Sequence, residues 1–316
     1  MASERVLVTG GTGRIGAPLV RALLARGDTV TVLARDPAKV PPGARAVKGS
    51  LFDAAALADA LAGVTAVYHL AGGVRGRGAE TADRLNREGT LSVLAAVAAR
   101  PGAPLRAFVY ASSCAVYGDR SGLWVGEDYP PSPHTHYGEA KVAAEAAVLE
   151  ALPTVARVAR IAAVYGPGLP FLMVDAMRAR EAWLPGEGRN IVPVVHVDDA
   201  VAALLRVGDA DATGIFHVAG RTTPTLKEFY AAVHAACGGR AVRFWSTWIP
   251  SAFQFGAARA NERVVARLGG RPRFTEDNLR LYTASVRLRT DRLEKELGFS
   301  WTFGDHKAGV PAAVGQ

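Results

Sequence analysis

The sequence predicts an α/β protein with a doubly wound parallel sheet. Short apolar runs rich in β-branched residues alternate with stretches of helical periodicity as far as Tyr165. Strands and helices that alternate in this way form a parallel sheet covered by helices on both faces. The first strand also runs directly into a glycine-rich turn that opens a helix, which is the start of a βαβ unit.

Residues 6–35 form that βαβ unit, as an apolar strand, a helix with leucine and valine at helical spacing, and a second β-branched strand. Backbone N–H groups at the start of such a helix, together with the helix dipole, favour binding of a pyrophosphate. The unit therefore predicts a dinucleotide-binding domain of the Rossmann type. The residues expected to approach the phosphates are Gly10, Gly13, Arg14, Ile15 and Gly16.

The end of the second strand discriminates between NAD and NADP. An NAD site usually has Asp or Glu there, which binds the ribose hydroxyls and repels a 2′-phosphate. This chain has Ala34 and Arg35 at that point, and Arg14 lies in the glycine turn. Two guanidinium groups suit a phosphate, so we expect NADP, with NAD as the alternative. The opposing interpretation is that both arginines are solvated and that Asp36 pairs with Arg35.

The chain has 316 residues, 49% of them hydrophobic, and a formal net charge of +8. This length suits one large domain or two coupled domains. The basic residues are scattered along the sequence, which argues against a nucleic-acid partner and leaves steering of an anionic cofactor. We expect a cytoplasmic protein without a membrane partner, because no signal peptide fits before Gly10 and no apolar run has membrane-spanning length. Cys114 and Cys237 lack metal-ligand spacing.

Strands and helices continue in order after the first unit. Asp53 precedes a helix over 54–61, which it is expected to cap while also being available to an adenine amino group. A buried strand over 65–70 ends in Leu70 and Ala71, at the edge where open α/β sheets bind ligands. The other elements predicted in this half are a helix at 82–99, a strand at 105–112, a helix at 137–149 and a strand at 156–164.

The sequence of the second half of the chain predicts a smaller substrate-binding region that packs on the first half. We divide the chain into a Rossmann domain over 1–168 and a mainly substrate-binding region over 169–316. Segments 191–207 and 213–220 are expected to return to the Rossmann domain. The other features predicted there are an amphipathic helix at 171–183, a helix at 226–236 and an aromatic, apolar loop at 244–255.

Tyr137 and Lys141 stand four residues apart on a predicted helix, so their side chains share one face. A phenol is a weak acid with a reference pKa of about 10, but an ammonium group one turn away stabilises the phenolate. Proton transfer at a substrate oxygen then becomes feasible. Ser112 and Ser113 lie upstream at the end of a predicted strand, where a hydroxyl can orient that oxygen.

These motifs occur together in an order typical of one family. The chain resembles an extended short-chain dehydrogenase/reductase of the NAD-dependent epimerase/dehydratase family over essentially its whole length, with features of the 3β-hydroxysteroid dehydrogenase and dihydroflavonol reductase branch. The matching segments include TGGTGRIG, YHLAGG, NREGTLSVL, YASSCAVYG, YGEAK, RIAAVYGPG and VPVVHVDDAV. The resemblance implies that Tyr137 is the acid/base, that Lys141 lowers its pKa and holds the nicotinamide ribose, and that Ser113 polarises the reacting oxygen.

The resemblance also implies the contacts of the cofactor. Gly10, Gly13 and Gly16 match the pyrophosphate turn, and Asp53, Leu70 and Ala71 match contacts on the adenine and ribose side. Many relatives pair through helices equivalent to 82–99 and 137–149, so a homodimer is an open expectation.

Departures from the nucleotide-sugar members narrow the substrate. Those enzymes usually have an arginine before the HVDD segment, which binds a substrate phosphate, and often an asparagine before YGP. Here residues 191–194 are Ile-Val-Pro-Val, and Ala163 replaces the asparagine. The apolar loop at 244–255 suits either the wall of an apolar pocket or a lid packed on the core.

We therefore expect an NAD(P)-dependent oxidoreductase that interconverts a secondary alcohol and a ketone on a mostly apolar small molecule, such as a steroid, polyketide or flavonoid. Hydride would pass between the nicotinamide and the carbinol carbon, with Tyr137 as the acid/base. The alternative is a nucleotide-sugar epimerase or dehydratase that uses bound NAD(P). A third hypothesis is a non-catalytic NADP-sensing regulator.

The histidines near these motifs give weaker evidence of a functional role. His134 and His136 precede Tyr137 and are candidates to tune it, although loop histidines beside a proline are mostly exposed. His196 with the two aspartates that follow resembles part of a metal site, but no further ligand has convincing spacing. We expect no metal, and an aspartate that caps the helix after Val197.

Overall fold

The structure is a computed structural model, and it describes residues 3–73, 82–168, 183–184, 186–238, 243–244, 251–268 and 275–315. Within these residues, seven parallel strands form the main sheet in the order β11-β7-β5-β4-β1-β2-β3. The strands are β1 Arg5–Thr9, β2 Thr29–Ala34, β3 Arg45–Lys48, β4 Ala66–His69, β5 Ala107–Ser113, β6 Trp124–Val125, β7 Ala156–Ile161, β8 Ala163–Tyr165, β9 Trp183–Leu184, β10 Val194–His196, β11 Gly214–Val218, β12 Arg243–Phe244 and β13 Arg287–Leu288. This architecture confirms the predicted doubly wound α/β fold.

Helices cover both faces of the sheet. They are α1 Gly16–Ala25, α2 Ala54–Leu61, α3 Gly89–Ala99, α4 His136–Ala151, α5 Val197–Asp209, α6 Leu226–Cys237, α7 Ser251–Arg267, α8 Glu276–Thr283 and α9 His306–Val314. A π-helical turn, Arg84–Glu88, leads into α3, and a 3₁₀ turn, Cys114–Tyr117, follows β5. None of the helices in the described part of the chain is long and apolar enough to cross a membrane.

Strand β1 is apolar at successive positions because both of its faces are buried. Val6 and Val8 pack in one core cluster with residues of α1 and α5, whereas Leu7 packs in a second cluster with residues of α2, α3 and α4. A parallel strand buried on both faces needs apolar side chains on both. The chain leaves β1 toward β2 on one side and later returns to place β4 on the other. Open sheets of this kind bind ligands in the crevice at that switch point.

The second half of the chain contributes to the sheet and to a third core cluster. β11 pairs with β7 at the end of the main sheet, and α5 packs on the same face as α1. Helices α6 and α9 share an apolar cluster around Tyr165, Phe229 and Val310. Three two-stranded sheets, β8 with β10, β9 with β12 and β6 with β13, connect the remaining described segments. The boundary at residue 168 stays a prediction.

Some elements differ from the sequence prediction. Trp183 lies in β9 and does not end a helix, and residues 169–182 lie outside the described part of the chain. The predicted loop at 244–255 includes the first turn of α7, because Ser251 begins a helix, while residues 245–250 are not described. Helix α5 is capped by His196, whose side chain accepts from the Asp198 N–H, and not by an aspartate. Asp199 instead accepts from the N–H groups of Thr302 and Phe303, at 2.8 Å each.

Candidate active site

The glycine turn at the start of α1 is defined by close backbone contacts. Gly10 has φ of 72°, and a Cβ there would lie 2.7 Å from the Ala71 nitrogen and 2.8 Å from the Leu70 carbonyl carbon. A Cβ at Gly16 would overlap the Gly10 carbonyl oxygen. The Gly13 N–H donates to that oxygen at 2.9 Å and closes the turn. Side chains are therefore excluded where β1, β4 and α1 meet, which leaves a cradle of backbone groups at the N-terminus of α1.

The two arginines predicted to bind a 2′-phosphate differ in their surroundings. Arg14 donates from Nη1 to the carbonyl oxygen of Gly168, 3.0 Å away. Arg35 is exposed after β2, and no hydrogen bond or ion pair joins it to another described residue. The alternative partner, Asp36, pairs with Lys39 at 3.1 Å instead. Binding of a 2′-phosphate by both arginines stays a prediction.

Asp53 caps α2 as the sequence predicts. Its Oδ1 accepts from the Ala56 N–H at 3.0 Å, and the side chain is exposed beside the crevice. A carboxylate has further lone pairs once one oxygen has capped a helix. The second predicted role, a contact with adenine, stays a prediction.

A chain of buried hydrogen bonds runs beneath the crevice through His69. The Thr9 hydroxyl lies 2.6 Å from His69 Nδ1 and accepts from the Ala71 N–H, while His69 Nε2 lies 3.0 Å from the Thr90 hydroxyl. Thr90 donates its own proton to the Asn86 carbonyl oxygen at 2.6 Å. Nε2 must therefore carry the imidazole proton, and Thr9 must donate to Nδ1. Burial lowers the pKa of His69 to about 3, so the ring stays neutral.

Asn86 connects this chain to the centre of the site. It lies fully buried in the π-helical turn, donates from Nδ2 to the Gly73 carbonyl at 3.0 Å and accepts from the Gly73 N–H at 3.2 Å. A Cβ at Gly72 would lie 2.6 Å from Asn86 Oδ1 and 3.4 Å from Lys141 Nζ. π-Helical turns inside helices often mark functional sites. Here the turn holds the residues after β4 close to Lys141.

Ser113, Tyr137 and Lys141 converge where β5 ends against the start of α4. Burial raises the pKa of Tyr137 to about 12, and a hydrogen bond with Ser113 opposes this rise. Lys141 is 4% exposed, lies 5.9 Å from the centre of the Tyr137 ring and donates to the Ala111 carbonyl at 2.7 Å. Burial lowers the pKa of Lys141 to about 8, against the opposing effect of Glu145. The phenol is thus protonated at neutral pH and can act as a proton donor.

Behind this corner lies a buried ion pair that sequence reasoning missed. Arg160 Nη2 lies 2.7 Å from Glu145 Oε2, and Arg160 and Glu145 are 2% and 3% exposed. Glu145 also accepts from the Ser112 hydroxyl, and Arg160 donates from Nη1 to the Tyr117 hydroxyl at 2.6 Å. Two arginines inside the strand segment ARVARI, Arg157 and Arg160, were the available signal, because a buried strand seldom accepts a charge without a partner.

The remaining candidates lie around the site in different environments. His134 is partly buried, and burial lowers its pKa, whereas His136 is exposed and lies 3.3 Å from Glu139. Cys114 follows Ser113 in the 3₁₀ turn, and burial raises the pKa of its thiol to about 11. Among the described residues, no group of three or more His, Cys, Asp or Glu side chains is arranged to hold a metal ion.

Comparison with known proteins identifies the family and the fold of the chain. The sequence model of the NAD dependent epimerase/dehydratase family matches residues 6–219. A 3-diazoavenalumate denitrifying reductase from a Streptomyces species is 33% identical over 236 residues, which cover 68% of this chain and 75% of the relative. A 2-alkyl-3-oxoalkanoate reductase from Stenotrophomonas maltophilia is 31% identical, covering 86% of this chain and 87% of the relative. The structure of MoeE5 with UDP-glucuronic acid and NAD aligns with a TM-score of 0.77 at 24% identity, covering 98% of each chain.

The parallel sheet with its glycine turn at the switch point defines a protein with a Rossmann-type nucleotide-binding fold. The chain belongs to the NAD-dependent epimerase/dehydratase family. It is accordingly an NAD(P)-dependent enzyme of the oxidoreductase or epimerase type.

Proposed function

We propose that the protein is an NAD(P)-dependent reductase that converts a ketone on a mostly apolar small molecule to a secondary alcohol. The observation that carries the proposal is the convergence of Ser113, Tyr137 and Lys141, with Tyr137 held in its protonated form. A protonated phenol suits ketone reduction, because the carbonyl oxygen needs a proton when the carbonyl carbon receives a hydride.

The cofactor fits the crevice on structural grounds. The cradle around Gly10 and Gly16 admits backbone contacts that a Cβ would block, and the start of α1 lies directly after it. Bound NAD(P) supplies the hydride for reduction or accepts it for oxidation. Arg35 and Arg14 favour NADP over NAD, since neither is an acidic residue that would repel a 2′-phosphate.

In this mechanism each side chain has one role. The Ser113 hydroxyl donates to the substrate carbonyl oxygen and orients it. Tyr137 passes its proton to that oxygen as the carbon gains the hydride, and the resulting phenolate is stabilised by the ammonium group of Lys141. The same groups run the reverse oxidation, with the phenolate as base.

Two observations support an apolar substrate. Val192 stands four residues before His196, in the stretch where nucleotide-sugar enzymes usually have arginine, and it packs against the apolar cluster around Tyr165. A substrate diphosphate would find no neutralising charge at that position. The name of the Stenotrophomonas relative states that it reduces 2-alkyl-3-oxoalkanoates, which are ketones with alkyl chains.

The test is a ketone panel with NADPH and with NADH, run beside UDP-sugars. Net consumption of NADPH with an alkyl or steroidal ketone supports the proposal, and interconversion of a UDP-sugar without net consumption of cofactor would replace it with epimerase activity. Tyr137→Phe should lower kcat at least about 100-fold with unchanged NADPH binding. Tyr129→Phe is the matched control, because that half-buried ring contacts Tyr117 and Arg120 outside the site.

A further inference from the structure

Three residues on one face of α4 meet the last three residues of β5. Tyr137, Lys141 and Glu145 are spaced four apart, so they lie one above another. Tyr137 lies near Ser113, which lowers the pKa of the phenol against the effect of burial, Lys141 donates to the Ala111 carbonyl at 2.7 Å, and Glu145 accepts from the Ser112 hydroxyl. These contacts fix the helix and the strand end against each other.

Arg160 holds the contact between Glu145 and Ser112 in place. Ser112 and Arg160 are paired neighbours in β5 and β7, so their side chains leave the same face of the sheet, which α4 covers. Besides the 2.7 Å contact, Arg160 Nε lies 3.1 and 3.2 Å from the two oxygens of Glu145. A guanidinium that engages both oxygens fixes the orientation of a carboxylate.

The buried charges around Lys141 form a simple balance. Lys141 and Arg160 bring two positive charges and Glu145 brings one negative charge, and all three side chains are at most 4% exposed. The net charge of +1 becomes zero when Tyr137 ionises. Loss of the carboxylate would leave two uncompensated cations in a region of low dielectric, and the lysine would respond by losing its proton.

The other titratable groups that face Lys141 are neutral. Lys141 Nζ lies over the ring of Tyr110 on β5, 4.7 Å from the ring centre. Burial raises the pKa of Tyr110 well above the ordinary value. His69 on β4 stays neutral, since burial lowers its pKa to about 3, and the Lys141 charge acts in the same direction. Among the described groups around Lys141, Glu145 thus supplies the negative charge.

We propose that Glu145 and Arg160 are positioning residues for the reaction: Arg160 orients the Glu145 carboxylate, and that carboxylate keeps Lys141 protonated while it anchors Ser112, so that Ser113 faces Tyr137. The inference rests on the roles of Tyr137 and Lys141 in the proposed function. An ion pair with a purely structural role would leave the titration of Lys141 unchanged when both of its partners are removed.

The experiment follows Lys141 directly by NMR. The chain has six lysines, so labelling with ¹³C at lysine Cε gives few resonances, and Lys141→Met identifies the one that belongs to Lys141. Titrations compare the unaltered protein, Glu145→Gln and the double variant Glu145→Gln/Arg160→Met. Glu145→Gln leaves Arg160 buried without its partner, which can prevent folding. The double variant removes both buried charges and avoids that problem. Glu139→Gln is the matched control, since Glu139 is an exposed carboxylate on the same helix.

Of the two buried charges removed, Glu145 is the one that acts on the pKa of Lys141, which it raises. We therefore expect the titration midpoint of Lys141 to fall by about one pH unit in folded Glu145→Gln and in the double variant, with no change in Glu139→Gln. The alkaline limb of the kcat profile should move down with it. An unchanged Lys141 midpoint in the folded double variant would overturn the inference. If the unaltered protein reduces no ketone but the midpoint still falls, the proposed reaction fails and the link between Glu145 and Lys141 stands.

Discussion

The glycine turn after β1 and the corner where β5 meets α4 lie at the same edge of the sheet, yet different contacts hold them. In the turn, backbone atoms of Gly10, Gly16 and Ala71 touch, so that no Cβ fits. In the corner, buried side chains of Ser112, Glu145 and Arg160 bind one another. Backbone contacts tolerate no added atom, whereas a side-chain network tolerates replacement when all its partners change together.

The largest effect should come from adding atoms to the turn. Gly16→Val places a side chain on the Gly10 carbonyl oxygen, so we expect a loss of about 4 kcal/mol or more in the free energy of unfolding and no NADPH binding. Thermal unfolding and cofactor fluorescence measure both. Gly256→Ala is the control, because no atom lies within 4 Å of its added Cβ in the exposed part of α7; it should be neutral or slightly stabilising.

The corner should respond to single and double changes differently. Glu145→Gln leaves the Arg160 charge buried without its partner and should cost about 3–5 kcal/mol of unfolding free energy. Glu145→Gln/Arg160→Met should recover most of that loss, as judged by urea unfolding. A double variant no more stable than the single one would show that this corner is as intolerant of change as the glycine turn.

Acid should weaken the hydrogen bonds of two buried histidines: His69 beneath the glycine turn, and His217, whose Nε2 lies 2.6 Å from the Tyr117 hydroxyl that Arg160 also contacts behind the corner. Burial lowers the pKa of His69 to about 3 and that of His217 to about 4, both below the ordinary value of about 6.5. The unfolded chain therefore binds protons that the folded chain excludes. The contribution of these two histidines to the free energy of unfolding is therefore present above about pH 6.5. It is lost as the pH falls, down to about 4 for His217 and about 3 for His69.

The measurement is the free energy of unfolding at pH 7 and at pH 5. His217→Gln should remove about 2 kcal/mol of the loss seen between these two values, whereas exposed His136→Gln should not change that loss. Equal acid sensitivity in both variants would count against a neutral, buried His217.

The smallest effect is expected at the surface. Arg45 and Asp59 form an ion pair with Nη2 to Oδ1 at 2.6 Å, but both side chains are about half exposed. Asp59→Asn should therefore cost at most about 1 kcal/mol, less at high salt. A larger loss in urea unfolding would mean that hydrogen-bond geometry matters more than burial for the pairs of this protein.

Features that depend on local sequence were predictable. Apolar runs gave the central strands, the glycine spacing gave the turn, and Asp53 before an alanine-rich stretch gave the cap of α2. The proximity of Tyr137 and Lys141 followed from helical spacing alone. The prediction of an aspartate cap for α5 was wrong, because the cap depends on tertiary contacts: His196 caps the helix, and Asp199 accepts from the backbone N–H of Thr302, which is distant along the chain.

Sequence by itself determined the doubly wound sheet, the glycine cradle and the pairing of a phenol with a lysine, because each depends on residues that are neighbours along one strand, turn or helix. Only the tertiary structure decided that Arg14 reaches Gly168, that His69 is a neutral link between Thr9 and Thr90, and that Glu145 meets Arg160. These contacts join segments distant along the chain, and burial sets their energies. Both follow from how the helices pack on the sheet.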